Sequence, residues 1–440
     1  MDKKQSICII GAGMSGIVAA KHLDASGINF EWHEKTTEAG GIWCYRQTDD
    51  VMSIYDCCHT IGCKRNMGFS DFPPPKAMPE YPSHREYSRY LNAYIDHFKL
   101  RQKIQFESTI TQVHPMLPGF KVIFANGDEK HFDGIIVTSG QFNQPKYPDF
   151  SGEFAGEAIH SAFYRTAEKY RDKNVLLVGL GNSGIDIACD VAKVANNTYL
   201  STRESAHIIP KYILGLPFLR YHSPIDDYLP FFISQMLTRL LAFLGRGRLS
   251  SYNFPKPKRP VLLKNPAMSD TILNAVKTGQ VQMKPGVESL TKTGAKFTDD
   301  SEIEVDHIIY TTGYDTCFPF FDEELIAFKP GKLNNYLHVA NIDHPQLFFM
   351  GIVDPFGTFP LVLENQAKMI CALLNQQCEL PDKSYMQANM QAYEKKMRKL
   401  LHDQSNKPMI KEKFYLYQHK LQRFIKKYKS NSTSHSLEQK

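Results

Sequence analysis

Apolar residues along this chain fall into short unbroken runs and longer periodic stretches. Ser6–Ile10 (SICII) is apolar without alternation, the pattern of a parallel strand buried on both faces. Residues 17–23 then show helical spacing, and residues 28–33 form a second strand-like run. The same order returns far downstream: an apolar run at 175–178 (VLLV), a helix from Ile185 onwards, and a strand at 198–201. Strand, helix, strand, written twice, predicts two units built on parallel sheets. Between 228 and 244 lies the longest remaining apolar segment, interrupted by Gln235 and Arg239 and too short to span a bilayer comfortably. Its Leu229, Phe232, Ile233, Met236, Leu237, Leu240, Leu241 and Leu244 recur at helical spacing with Arg239 on the other face, so a packing helix is expected.

The first strand runs directly into Gly11-Ala12-Gly13-Met14-Ser15-Gly16. In a dinucleotide fold each glycine has a separate task. Gly11 makes the tight turn, Gly13 lets backbone N–H groups approach a pyrophosphate, and Gly16 lets the helix pack close to the strand. The phosphates then lie at a helix N-terminus, where unpaired donors and the dipole favour negative charge. The second strand ends at Glu34, 18 residues after Gly16, where a carboxylate accepts ribose hydroxyls and repels a 2′-phosphate. This site is expected to hold FAD. Gly40-Gly41-Ile42-Trp43 follows, two glycines and an aromatic that suit a backbone closing over a flat cofactor.

The second strand–helix unit carries Gly179-Leu180-Gly181-Asn182-Ser183-Gly184, and its next strand ends in Ser201, Thr202 and Arg203. Arginine's planar fork binds a phosphate through two hydrogen bonds, and the Ser201 hydroxyl is expected to add a third. Arg203 in the place of an acid marks NADPH over NADH. Two fingerprints in one chain imply that one nucleotide reduces the other, as when NADPH delivers hydride to a flavin.

Composition narrows the setting. At 42% hydrophobic and 22% charged, the chain is of ordinary globular type, and 440 residues hold two or three domains. No signal peptide is visible, and nine cysteines without a CxxC pair fit reduced thiols, so a cytoplasmic protein is expected, with no metal site and no nucleic-acid partner. The net charge of +6 is concentrated: residues 395–429 carry twelve Lys or Arg against two acidic groups. Within 411–429 these interleave with Leu421, Phe424, Ile425 and Tyr428, which predicts a basic amphipathic helix. It is expected to lie on the body of the protein, with a weak membrane-surface contact as the alternative.

Between the fingerprints, Phe154-Ala155-Gly156-Glu157-Ala158-Ile159-His160-Ser161-Ala162-Phe163-Tyr164 matches FxGxxxHxxxY and resembles the signature of the flavin-containing monooxygenases, class B flavoprotein enzymes. Phe69-Ser70-Asp71-Phe72-Pro73, the turns Val137-Thr138-Ser139-Gly140 and Thr311-Thr312-Gly313-Tyr314, and Leu347-Phe348-Phe349-Met350-Gly351 followed by Glu364-Asn365-Gln366-Ala367 resemble further segments of that family, in the same order. The resemblance implies an α/β fold of two Rossmann-like domains, the second inserted into the first, with a helical C-terminal extension. It also implies FAD contacts at Met14, Ser15, Thr60, Ile61, Gln366 near the isoalloxazine or ribityl chain, and the Val113 backbone at adenine. The signature stretch then serves as a linker, and His160 as a structural histidine. The implied reaction uses NADPH and O2 to oxygenate an amine nitrogen or sulfide sulfur of a small molecule through a C4a-hydroperoxyflavin. One position departs: Thr60-Ile61 stands where the family has Thr-Asn, so an amide that holds NADP near the flavin is missing, and Asn182 is the expected orienting substitute.

The implied plan is an FAD domain at 1–150, an NADPH domain at 151–330 with an insertion at about 214–270, a return to the first domain at 331–380, a helical basic extension at 381–429 and a disordered tail at 430–440. Within the insertion, the helix ending at 244 is a packing element, a lid or a weak membrane contact. Three rival functions remain. An NADPH oxidase would release H2O2, uncoupled by Ile61. A disulfide reductase would use Cys58 and Cys63, although these lie 17 and 22 residues beyond Gly41. A non-catalytic flavin sensor would be reduced once and stop.

Overall fold

Each glycine fingerprint sits at the C-terminal edge of an interior strand of its own sheet. The computed structural model describes residues 5–221, 229, 231–252, 254–258, 261, 266–322, 333–400 and 411–429. The first sheet starts with β1 (Ser6–Ile10), β2 (Asn29–His33), β3 (Ile104–Gln105) and β4 (Gly134–Val137). β1 lies between β2 and β4, parallel to both, with Ile7 opposite Phe30 and Gly134. Helix α1 (Met14–Ala25) returns the chain from β1 to β2. Helix α2 (His84–His97) begins at a capping box, the Glu86 carboxylate accepting the Ser83 N–H at 2.8 Å while the Ser83 hydroxyl accepts the Glu86 N–H.

The inserted sheet repeats this build. β5 (Glu157–His160), β6 (Asn174–Val178), β7 (Asn197–Ser201), β8 (Gln282–Lys284) and β9 (His307–Tyr310) are all parallel, in the order β8-β7-β6-β9-β5. Helix α3 (Asn182–Val191) joins β6 to β7. A three-stranded antiparallel meander precedes the inner strand of each sheet, 110–132 before β4 and 287–304 before β9. The chain crosses between the sheets on a two-stranded antiparallel ribbon, Gln144–Pro145 against Tyr314–Asp315. The first sheet is then completed by β10 (Asn335–Tyr336), β11 (Ala340–Asn341) and β12 (Leu347–Phe349), with β12 parallel to β4.

The two-domain α/β architecture with an insertion follows the expectation, with two differences. The return to the first domain comes well before 331: Phe318, Phe320 and Phe321 already pack with Val113 and Phe349 under the first sheet. In the insertion, helix α4 (Phe231–Arg246) turns a different face inward from the one expected. Ser234, Thr238 and Ala242 are buried, whereas Phe232, Met236 and Leu240 are 69%, 61% and 52% exposed. The helix approaches segment 210–213 so closely that a Cβ on Gly245 would meet Pro210 Cγ at 2.6 Å, and small residues suit that contact. Leu229 is described, but Tyr228 lies outside the described residues. No helix among the described residues is long and apolar enough to cross a membrane.

The C-terminal extension is part of the first domain. Helices α5 (Phe359–Leu374), α6 (Lys383–Leu400) and α7 (Phe414–Lys427) follow β12. The apolar face of α7, namely Phe414, Tyr417, Leu421 and Phe424, is buried in the core that also holds α1, so those residues are spent on packing and not on a membrane surface. Residues 430–440 lie outside the described residues.

Candidate cofactor sites

The first glycine turn is held by contacts that leave no room for side chains. Gly11 adopts φ +105°, and a Cβ there would lie 3.1 Å from the Thr138 carbonyl oxygen. A Cβ on Gly16 would lie 2.0 Å from the Gly11 carbonyl oxygen, so only glycine lets α1 pack against the turn. The Thr138 hydroxyl at the end of β4 donates to both the Ile10 and Gly11 carbonyls, at 2.7 and 2.8 Å. At the second site Thr311, following β9, does the same with the Val178 and Gly179 carbonyls, at 3.1 and 2.8 Å. Gly179 (φ +121°) and Gly184 repeat the steric pattern, a Cβ on Gly184 lying 2.2 Å from the Gly179 carbonyl oxygen. Both helices begin on a glycine with no side-chain cap, so their first N–H groups face outward for an anion.

The residues around the first turn fit a dinucleotide. Glu34 is buried at the end of β2, and its carboxylate accepts the Ala12 N–H at 2.7 Å and the Thr36 N–H and hydroxyl at 3.0 and 2.9 Å. The acid is thereby fixed beside the glycine loop. Gly41 (φ +62°) lies so close to Gly13 that a Cβ would be 2.9 Å from its Cα, placing the second glycine pair across the first. Ile42 is exposed, and Trp43 packs edge-on against Tyr87 with centroids 4.8 Å apart. Met14 and Ser15 are buried in the first turn of α1. Beyond Thr138, Ser139 Oγ and Gln141 Oε1 are buried with no hydrogen-bond partner among the described residues, two polar atoms that a bound cofactor would satisfy.

Other expected contacts are already engaged. Thr60 is buried, its hydroxyl donating to the Gly62 carbonyl at 2.8 Å and its N–H to Pro82 at 2.9 Å, whereas Ile61 is 49% exposed. Val113 donates its N–H to the Phe320 carbonyl at 2.7 Å, which removes that donor from any adenine. The Gln366 side chain is completely buried and spent on Gly351 and Tyr417, so it supports the loop behind the glycine turn.

At the second site, Gly181 is exposed and a Cβ there would meet nothing within 4 Å, leaving open space where the nucleotide is expected. Asn182 Oδ1 accepts the Met268 N–H at 3.0 Å, fastening the helix start to the insertion. Ser201 is buried and donates to the Pro285 carbonyl at 2.6 Å, so its hydroxyl serves the adjacent loop and not a phosphate. Arg203 is exposed, with no carboxylate partner among the described residues, and lies across Gly286.

One turn into α3, a cluster absent from the sequence reading couples the two domains. Tyr55 and Cys58 of the first domain insert into the core of the second. The Tyr55 hydroxyl donates to Asp186 at 3.0 Å, beside Ser183. Tyr164, the last residue of the signature stretch, donates to Asp190 at 2.8 Å. Burial pushes the Asp186 carboxyl up to about 6, against the field of Lys211. His160 is a structural histidine as expected: its Nδ1 accepts the Ala162 N–H at 3.1 Å and its Nε2 donates to the Gly313 carbonyl at 3.0 Å, bracing the interdomain ribbon.

All nine cysteines are free. Burial pushes the Cys58 thiol up to about 12 and raises that of Cys63, whose Sγ donates to Asn66 Oδ1 at 2.8 Å. Neither is poised as a thiolate, which argues against the disulfide-reductase reading. No cluster of His, Cys, Asp and Glu suited to a metal occurs among the described residues.

A family model described as flavin-binding monooxygenase-like matches residues 3–437. Flavin-containing monooxygenase 5 of Oryctolagus cuniculus is 30% identical over 421 residues, spanning 89% of this chain and 78% of the relative. The S-allyl-L-cysteine S-oxygenase of Allium sativum superposes with a TM-score of 0.70 at 23% identity, over 96% of this chain and 88% of that one. The open form of cyclohexanone monooxygenase gives 0.72 at 15% identity, over 95% and 97%. At those identities the two structures establish the fold alone. A family match along nearly the whole chain, on a fold with two glycine cradles of one design, makes this protein a member of the flavin-binding monooxygenase-like family and a flavin-dependent monooxygenase.

Proposed function

We propose that this enzyme uses NADPH and O2 to oxygenate a soft nucleophile, an amine nitrogen or a sulfide sulfur, in a small molecule. One observation carries the reading. Two cradles of the same construction differ where the next strand ends, in a buried carboxylate at Glu34 and an exposed guanidinium at Arg203 with no carboxylate partner among the described residues. The first suits ribose hydroxyls, as in FAD, and the second a 2′-phosphate, as in NADPH. Bound FAD supplies the redox chemistry and the oxygen activation, with NADPH as its reductant.

The chain's own part is binding, orientation and exclusion of water. The turn shaped by Gly11, Gly13 and Gly16 presents the uncapped start of α1 to the flavin nucleotide's pyrophosphate, Glu34 holds its ribose, and Ser139 and Gln141 present unsatisfied polar atoms beside them. The turn of Gly179, Gly181 and Gly184 presents the uncapped start of α3 to NADPH in the same way, and Ser201, through Pro285, steadies the bed of Arg203. Asn182, tied to Met268, orients the segment facing the nucleotide. The garlic neighbour is named for sulfur oxygenation, which accords with a soft nucleophile. Peroxide release by an NADPH oxidase is the second reading, favoured by Ile61, whose exposed hydrocarbon offers no hydrogen bond where the family has an amide.

NADPH consumption measured in parallel with oxygenated product and peroxide, across a panel of tertiary amines and sulfides, tests the reading. Product formation with at least one class is expected. Consumption matched entirely by peroxide throughout would select the oxidase.

A further inference from the structure

Tyr417 lies on α7, remote in sequence from either fingerprint, yet an unbroken hydrogen-bond chain joins it to the loop behind the first one. Gly351, at φ +79°, backs onto α1 so closely that a Cβ there would lie 2.4 Å from Ser15 Oγ. Its N–H is accepted by Gln366 Oε1 at 3.0 Å. Gln366 Nε2 donates to the Tyr417 hydroxyl at 2.9 Å, and that hydroxyl donates to the Leu337 carbonyl at 2.6 Å. Each link dictates the next. A hydroxyl that donates to a carbonyl must accept from the amide, so Nε2 faces Tyr417 and Oε1 is left for Gly351. Both side chains are fully buried, so no water substitutes for a missing partner.

The far end of the chain is anchored as firmly. Leu337 and His338 both adopt positive φ, +53° and +57°, a conformation non-glycine residues hold only when their surroundings impose it. Segment 411–427 grips that turn twice: Tyr417 takes Leu337, and the buried Glu412 meets His338 Nε2 at 3.1 Å.

We propose that Tyr417 is a positioning residue for FAD: through Gln366 it sets Gly351 against Ser15, and so fixes the first turn of α1 on which the pyrophosphate rests. The inference depends on FAD occupying the first fingerprint. It makes the C-terminal helix an integral part of the flavin site, with Tyr417 itself out of contact with the cofactor.

The test compares flavin-stripped wild type, Tyr417→Phe, Gln366→Met and Leu421→Ala. FAD affinity is read by fluorescence titration and stability by the melting temperature of the stripped protein. Tyr417→Phe leaves two buried polar groups unpaired, and Gln366→Met breaks the same chain at its centre. Each is expected to weaken FAD binding by about tenfold, ~1.4 kcal/mol. Leu421→Ala, a packing lesion on the same helix face, is expected to lower the melting temperature with FAD affinity retained. FAD affinity within twofold of wild type in both link variants overturns the inference, as does an equal loss in Leu421→Ala. Wild type that binds no FAD removes the underlying reading as well, whereas wild type and Tyr417→Phe binding alike removes the inference only.

Discussion

Replacing Arg203 with alanine separates recognition of the 2′-phosphate from every other contact to the second nucleotide. The side chain is exposed, leaves the end of β7 two residues beyond buried Ser201, and has no carboxylate partner among the described residues to be displaced by a ligand. Its base is fixed, because Gly286 lies so close that a Cβ there would meet Arg203 Cγ at 2.8 Å. A phosphate monoester carries roughly −1.5 to −2 at neutral pH. A guanidinium about 4 Å away in a water-like medium gains ~1 kcal/mol per unit charge. The pair is therefore worth ~2 kcal/mol, or about 30-fold. NADH lacks that phosphate and should lose nothing. The expected result is a fall of roughly 30-fold in kcat/KM for NADPH, with the value for NADH within twofold of wild type, in initial-rate assays at low ionic strength. Added salt should erode the wild-type preference, since an exposed pair is screened. An equal loss with both nucleotides would refute the assignment of Arg203, and so would an NADPH preference that survives the substitution.

Three further outcomes are expected. Gly184→Ala forces a Cβ to within 2.2 Å of the Gly179 carbonyl and should impair folding, whereas Gly181→Ala meets nothing and should keep the wild-type melting temperature while raising KM for NADPH about tenfold; an unchanged KM would mean the nucleotide does not lie over that turn. Asp186, buried and shifted from 3.8 to about 6, holds its proton more tightly in the folded than in the unfolded state, so stability falls as pH rises from about 4 to 6, by ~3 kcal/mol in the limit. Asp186→Asn should lack that part of the decline in urea-unfolding curves, and a slope identical to wild type would contradict the burial argument. Ile61→Asn changes a half-exposed side chain, should leave stability within about 0.5 kcal/mol, and should lower the peroxide formed per NADPH consumed; an unchanged ratio would show that this position does not govern coupling.

The parts of the structure legible in the sequence are those where backbone geometry demands one residue type. Gly11, Gly16, Gly179 and Gly184 lie where a Cβ would strike a carbonyl, and the strands beside them are buried on both faces, so they read as continuous apolar runs. The similarity of GIIVTSG at 134–140 to HIIYTTG at 307–313 carries the paired Thr138 and Thr311 contacts, whereas the buried, unpartnered Ser139 hydroxyl inside the same turn has no signature of its own. Where the reading erred, long-range packing decided. The apolar stripe of α4 faces outward because a close approach to 210–213 suits Ser234, Thr238 and Ala242, and periodicity alone favours burying the larger residues. The Ser201 hydroxyl also donates to Pro285 and the Val113 N–H to Phe320, bonds to distant partners that no local pattern announces. Tyr417 has no local signal, since its role exists only once β12, α5 and α7 are assembled.

Anaerobic addition of NADPH to the FAD-reconstituted protein tests the central claim most directly, because it asks whether both cradles are filled and in communication. The account predicts that the flavin's visible absorption bleaches fully at one equivalent of NADPH, and far more slowly with NADH at the same concentration. Protein that stays colourless in excess FAD, or a yellow protein that NADPH and NADH bleach at the same rate, would contradict it.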